Sequence, residues 1–333
     1  MKLLNKLLSY RLLSHKLLKG SWQLYGLCGF CGLLLILGIG MGRMSIARQG
    51  RTVSAPVSAS ASTESVPMEA SYSLQPEYRT YELDQATVHV VSIPAGVAVS
   101  IAVADDLMTV KAFATAENAI AVLNGGFFDP YNGETTSHLI FQGNTLSGPA
   151  DNERLVNNPD VQPYLSQILN RSEFRTYRCR TSAQTSELRY EIAAHDEAAS
   201  AIADSCTLVD AIGAGPQLLP EDTSFKEGFT DYADDELVRD AIGSTNPNAR
   251  SAIGIVSDTN EVVLIMAAQR SDASGFTLAN MADFAQTLGV DSLLNLDGGS
   301  SSTLYYDDQI YPARLDADGN PVERPVKSVI MIK

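Results

Sequence analysis

Apolar residues along this chain fall into two repeating patterns, separated by turn signals. β-Branched alternation over Tyr81–Ile93 and Val97–Val103, with Pro94-Ala95-Gly96 between, predicts a hairpin. Ala249–Val256 and Glu261–Ala267 predict another around Asp258-Thr259-Asn260. Short apolar runs at Ala119–Leu123, His138–Phe141, Leu208–Ile212, Leu293–Leu296 and Val326–Ile332 read as further strands. Helical spacing takes over in Thr109–Asn118, through Val110, Phe113 and Ala114, and near Asp160–Leu169. A third helix starts at Thr277 as its cap, lays Leu278, Met281, Phe284, Ala285 and Leu288 on one side, and is closed by Gly289. The expected fold is α+β, a single domain with a mixed central sheet and helices packed on it. Residues 150–207 are polar and irregular in pattern, and read as an inserted subregion of that domain.

Ahead of this body the pattern changes. Over residues 1–21 leucine doublets alternate with Lys2, Lys6, Arg11, Lys16 and Lys19, a basic amphipathic segment suited to an anionic membrane surface. Residues 22–44 contain an uncharged apolar span, Trp22 to Met41, long enough to cross a bilayer. Five bases precede it and Arg43, Arg48 and Arg51 follow, which favours an anchor in the cell membrane with the C-terminal side outside the cytoplasm. Cleavage of the same segment as a signal peptide would make the protein secreted, periplasmic or extracellular. Residues 45–77 are rich in Ser, Ala and Pro and read as a flexible stalk, so the folded body spans 78–333.

Charge narrows the partners. The 333 residues carry a formal net charge of −15, yet residues 1–51 contain eight bases and no acid. The body is therefore strongly acidic, which argues against nucleic acid and requires local cations for any anionic substrate. Of four cysteines, Cys28 and Cys31 lie in the apolar span. Cys179 and Cys206 are the remaining pair, and in an exported domain they are expected to form a disulfide.

Two strands run into similar turns about 170 positions apart. Ala119–Leu123 leads to Asn124-Gly125-Gly126-Phe127-Phe128-Asp129, and Leu293–Leu296 leads to Asp297-Gly298-Gly299-Ser300-Ser301. Glycines free the backbone for φ > 0, and successive N–H groups there can form an anion nest. If the strands were neighbours in one sheet, both loops would open on one edge. Other motifs carry less. Gly213-Ala214-Gly215 lacks the third glycine of a dinucleotide site, and Pro216 spoils the helix start. Asp316–Asn320 lacks the distal acid of a calcium loop. Asn170-Arg171-Ser172 fits a glycosylation acceptor, a triplet common by chance.

The segments Asn124–Phe128, Gly213–Leu218, Arg250–Gly254 and Asn295–Ser300 occur in the order seen in the phosphodiester glycosidases, and Arg324-Pro325-Val326 looks like that family's closing motif. The chain resembles the family over about Tyr81 to Lys333, in the manner of its bacterial, exopolysaccharide-associated branch. Ser300–Ser302 depart from it, where many relatives have a third glycine. The resemblance implies cleavage of a sugar-1-phosphodiester, releasing sugar and a phosphomonoester. Two rivals are a non-catalytic module binding anionic glycan during polymer export, and a metal-dependent phosphodiesterase that breaks P–O.

Candidate roles follow from side-chain chemistry. Arg250 offers a guanidinium fork for phosphate, and Arg324 a second, with a surface ion pair as its plainer role. Asp297 is the acid/base candidate and Asp129 the second carboxylate; either would equally serve an ordinary Asx turn. Asn124, Gly125, Gly126, Gly298, Gly299, Ser300 and Ser301 would orient sugar or phosphate. Arg270 and Asp272 would line the pocket, and His138 would carry a proton or sit as a strand-edge residue. No cofactor is required by the sequence; a divalent cation at Asp297 and Asp129 stays open, with no histidine cluster to support zinc.

Overall fold

The computed structural model describes residues 74–181, 185–196, 205–271 and 273–333. The amphipathic segment, the apolar span and nearly all of the stalk expected from the sequence lie outside them. Among the described residues no helix is long and apolar enough to cross a membrane.

Three large antiparallel sheets make up most of the body, beside two two-stranded ones, Thr230–Ala233 with Glu236–Asp240 and Arg314–Leu315 with Pro321–Val322. The first orders its strands Glu77–Glu82, Ala86–Ile93, Glu261–Gln269, Arg250–Val256, Ser292–Asn295 and Gln217–Leu219. The second orders Gln309–Pro312, Thr303–Tyr306, Ala121–Asn124, Val326–Ile332 and Val99–Met108. The third orders Asn144–Ser147, Leu139–Phe141, Cys206–Gly213, Ser172–Arg180 and Ser186–Ala194.

Glu261–Gln269 shows how these layers are held. All but its first residue are buried. Val262, Leu264, Met266 and Ala268 face a core shared by all three sheets, with Leu123, Phe174, Ile212 and Ile330. The alternate residues Val263, Ile265 and Ala267 face the helix Leu278–Thr287. A strand covered on both faces loses the polar alternation of a half-exposed one, as its sequence shows. The helix Val110–Glu117 covers the far side of the second sheet through Val110, Phe113 and Ala114. Thr109 and Thr277 cap these helices through their hydroxyl oxygens. Gly289, at φ +81°, follows the second.

Three expectations about the fold need correction. The sheets are not mixed: every ladder among the described residues is antiparallel, and only the two helices above exceed one turn or so. Antiparallel neighbours need only tight returns, so few helical crossovers are called for. Tyr81–Ile93 and Val97–Val103 do not form a hairpin. Both edges of Ala86–Ile93 are taken, by Glu77–Glu82 and Glu261–Gln269, so Val99–Met108 joins the second sheet beside Val326–Ile332.

The stretch after residue 150 is not irregular, since it holds the two nine-residue strands of the third sheet. Its polar look comes from charges neutralised internally. Buried Arg175 donates Nε–H to Glu173 at 2.7 Å and Nη2–H to the Ala194 carbonyl at 2.7 Å, and Glu173 also meets His195 at 2.9 Å. Cys179 and Cys206 sit opposite each other on adjacent strands and form the expected disulfide.

Candidate active site

Ala121–Asn124 and Ser292–Asn295 end in different sheets, yet their loops meet. The Asp297 N–H donates to the Gly125 carbonyl at 3.1 Å. Asn124, fully buried, donates Nδ2–H to the Asp297 carbonyl at 2.7 Å. Its Oδ1 accepts from the Ser251 hydroxyl at 2.7 Å and the Thr303 N–H at 3.3 Å. The Asn124 side chain is thus a clasp between the loops, with both ends engaged by protein.

The glycines act differently from the sequence expectation. Gly299 has φ +61°, but Gly298, at φ −112°, lies outside the left-handed region, as do Gly125 and Gly126. At Gly126 an added Cβ would stand 2.1 Å from the Gly213 carbonyl oxygen, and at Gly125 2.6 Å from Ile212 Cδ1. Those two permit close backbone approach. Nor do Gly298 and Gly299 form an open nest. The Gly298 N–H donates to Asp297 Oδ1 at 2.9 Å and the Gly299 N–H to the Ala249 carbonyl at 2.8 Å.

Asp297 faces this turn with 14% of its side chain exposed. Its Oδ2 accepts from Arg324 Nη2 at 3.1 Å. Both Nε and Nη2 of Arg324 donate to the Ser301 hydroxyl, and the guanidinium lies 4.9 Å from the centre of the Phe128 ring. Burial pushes the Asp297 carboxyl above its ordinary range, and outweighs the Ser301 hydroxyl, the Arg324 charge and the Gly298 N–H, which pull it down. Ser300 holds Arg324 in turn by accepting its backbone N–H at 3.1 Å.

Arg250 occupies a different environment. It is 2% exposed and donates to four backbone carbonyls: Phe276 at 3.2 Å, Ile242 at 3.1 Å, Gly243 at 2.6 Å and Asn246 at 3.1 Å. One of its five N–H groups, on Nη1, is left over. Among the described residues no carboxylate lies within ion-pair distance of it. Burial lowers its pKa to about 10, against the opposing pull of Asp240. A buried cation held only by neutral dipoles is stabilised by an incoming anion.

A cavity of about 180 Å³ joins these groups. Arg250, Asn248, Asn295, Asp297, Gly298 and Gly299 line it, together with Phe127 and the Ile242 side.

Other candidates stand elsewhere. Asp129 is paired with Arg154 at 2.8 Å, caps the Tyr131 N–H at 2.8 Å, and is absent from the cavity lining. Arg270 reaches Glu82 at 3.3 Å and the Leu83 carbonyl at 2.9 Å, on the outer edge of the first sheet. His138 contacts the Leu169 carbonyl at 2.9 Å and stacks on His195 at 3.4 Å. Asp272 lies outside the described residues. Among the described residues no three His, Cys, Asp or Glu side chains gather as a metal set.

The cavity also exposes residues not singled out from the sequence. Asn248 Oδ1 accepts from Arg314 Nη1 at 2.7 Å and from the Ala249 N–H at 2.9 Å. Asn295 donates Nδ2–H to the Gly215 carbonyl at 2.8 Å and leaves a buried Oδ1 without a partner. Asn295 opens the second Gly-Gly motif, and Asn248 stands two residues before Arg250, so position in a motif was the available signal.

The phosphodiester glycosidase family profile matches residues 117–333. No curated protein sequence matches the chain. Among solved structures, the catalytic domain of zebrafish N-acetylglucosamine-1-phosphodiester alpha-N-acetylglucosaminidase, auto-inhibited by its pro-peptide, superposes with TM-score 0.52 at 16% identity, over 78% of this chain and 82% of that one. A protein of Burkholderia pseudomallei gives 0.51 at 16%, over 74% of each. A hypothetical protein from Synechocystis gives 0.50 at 17%, over 77% of this chain, which spans only 61% of that one. At these identities the likeness is one of fold.

Proposed function

Because the chain belongs to the phosphodiester glycosidase family, we propose that it hydrolyses a glycosyl phosphodiester at the sugar C–O bond. The observation that carries this reading is the buried, carboxylate-free Arg250 guanidinium in one cavity with Asp297. The phosphate seats against Arg250, which the acidic body would otherwise keep away. Asp297 takes a proton from water as that water attacks the anomeric carbon. The C–O bond breaks, its electron pair leaves on the phosphate oxygen, and a free sugar and a phosphomonoester result. A carboxylate made more basic by burial is a better base near neutral pH. Arg324 and Ser301 hold it in orientation. Phosphate departs readily as an anion, so no partner acid from Asp129 is called for.

The substrate is read as a glycan of the cell envelope or an extracellular polysaccharide. The Cys179–Cys206 disulfide supports a site of action outside the cytoplasm.

The test is turnover of a panel of glycosyl phosphodiesters in oxygen-18 water. Label in the released sugar supports C–O cleavage. Label in the phosphate would make the protein a P–O phosphodiesterase, and no hydrolysis across the panel would leave a binding module.

A further inference from the structure

The cavity wall is chemically divided. Asn295 is 1% exposed, and its amide cannot be turned over, because Nδ2 donates to the Gly215 carbonyl at 2.8 Å and a flip would set oxygen against oxygen. Its backbone is pinned as well: its N–H donates to the Pro216 carbonyl at 3.0 Å and its carbonyl accepts the Gly215 N–H at 2.9 Å. What remains is Oδ1, a buried acceptor with no partner. A buried acceptor left empty is costly, so a ligand bringing a donor there is rewarded.

Asn248 is fixed in the opposite sense. Oδ1 is held by Arg314 and by the Ala249 N–H. Its Nδ2 donors have no acceptor among the described residues, and the group stands 3.8 Å from the Cβ position of Gly299, on the same lining. The leftover N–H of Arg250 belongs to that donor side. A phosphate has oxygens for Asn248 and Arg250, and is repelled by Asn295 Oδ1 and the Asp297 carboxylate. A hydroxyl supplies the proton that Asn295 lacks.

We propose that Asn295 and Asn248 set the specificity and the direction of binding in this cavity. Asn295 Oδ1 accepts from one hydroxyl of the glycosyl group, Asn248 Nδ2 donates to a phosphate oxygen, and Arg314 is a positioning residue that keeps Asn248 turned inward. The inference rests on the glycosyl phosphodiester reading, and it adds which end of the ligand lies where.

Binding separates the two. Calorimetry on the full chain would use inorganic phosphate, the gluco, galacto and manno hexose 1-phosphates, and their monodeoxy analogues. Loss of one hydroxyl, at a single ring position, should weaken binding by about 10²-fold or more, since a site built around a hydroxyl rejects the analogue lacking it. That discrimination should vanish in Asn295→Leu. If that variant fails to fold, the deoxy series on the unaltered protein still decides. Asn248→Asp keeps the partner of Arg314 but replaces the donor, and should weaken inorganic phosphate by about tenfold or more. Arg314→Gln should weaken phosphate too, but add nothing in an Asn248→Ala background, as expected for a residue acting through Asn248.

A flat deoxy series, unchanged phosphate affinity in Asn248→Asp, or no binding of any of these ligands would overturn the inference. Binding as described by a protein that hydrolyses no phosphodiester would leave it standing and remove the proposed activity.

Discussion

At Gly125 and Gly126 an added methyl would meet other atoms at 2.6 and 2.1 Å; at Gly298 and Gly299 the nearest neighbours are 3.2 and 3.8 Å away. The loops share an Asn-and-Gly-Gly design, but their glycines answer different needs. In the first loop they let the chain press against Gly213, Ser137 and Ser328, and make a rigid wall. In the second, Gly298 lies against the Ala249 carbonyl, while Gly299 has room beside it and takes a φ of +61°. The comparison teaches that a repeated motif can divide its labour, one copy building the support and the other lining the cavity with Asp297, Gly298 and Gly299. Asn124 joins the two, since its amide is bonded to the backbone of Asp297 itself.

The strongest way to break this division is Asp297→Asn. With a glycosyl phosphodiester that the unaltered protein cleaves, kcat/KM should fall by roughly 10²–10⁴ if Asp297 is the general base, with the fold retained. Stability supplies a second readout with a definite sign. The folded pKa of Asp297 is raised, so its contribution to stability is present below the unfolded carboxylate range and is lost as pH rises through the folded value. Melting temperatures from acid to neutral pH should therefore show the Asn variant gaining on the unaltered protein as pH rises. An Asn variant that turns over normally would show that Asp297 is not the general base, and one that loses ground with rising pH would show that burial does not raise its carboxyl.

Gly126→Ala probes the other loop. Its methyl would press on a backbone oxygen that cannot rotate away, and overpacking of this kind should cost about 3 kcal/mol or more. Chemical denaturation measures it, and a variant of normal stability would mean the wall is soft. Asn124→Ala sharpens the link between the loops. It removes a bond to the Asp297 carbonyl and leaves the Ser251 hydroxyl without its acceptor, and should cost roughly 2–3 kcal/mol while lowering activity. A loss of stability with turnover untouched would show the clasp to be dispensable for the site. The smallest effect is expected for Gly299→Ala. There is space for the methyl, and the positive φ alone should cost about 1–2 kcal/mol, seen as a modest fall in melting temperature.

Much of this was readable from residues whose partners are local. Thr277 and Gly289 mark their helix because caps are satisfied within one turn, and Asp258-Thr259-Asn260 marks a hairpin because its strands pair with each other. The two Gly-Gly turns showed as motifs, but what their glycines press against, Gly213, Ser328 and Ala249, comes from distant parts of the chain. Long-range pairing was not readable. Nothing in Pro94-Ala95-Gly96 says that the strands on either side belong to different sheets, because that depends on Glu261–Gln269 having taken the free edge. The polar run Glu173-Phe174-Arg175-Thr176 looks solvated until Arg175 is seen beside Glu173 in the interior. The orphan acceptor of Asn295 and the bracing of Asn248 by Arg314 likewise exist only after folding, since each partner comes from a distant part of the chain.

The strand Val326–Ile332 has a bearing on how the protein is made. It lies between Ala121–Asn124 and Val99–Met108, and the Ser328 carbonyl receives the Gly125 N–H at 2.9 Å. A ribosome delivers it long after the strands it joins. Until then both of those strands show open edges, and Asp297 has neither Arg324 nor a finished wall beside it. The nascent chain is therefore unfinished and sticky at once, with the surroundings of Asp297 set only as the central gap in the sheet is filled. Factors that shield unpaired strands during synthesis would act on this interval, and the cavity around Asp297 would be completed in one late step rather than gradually.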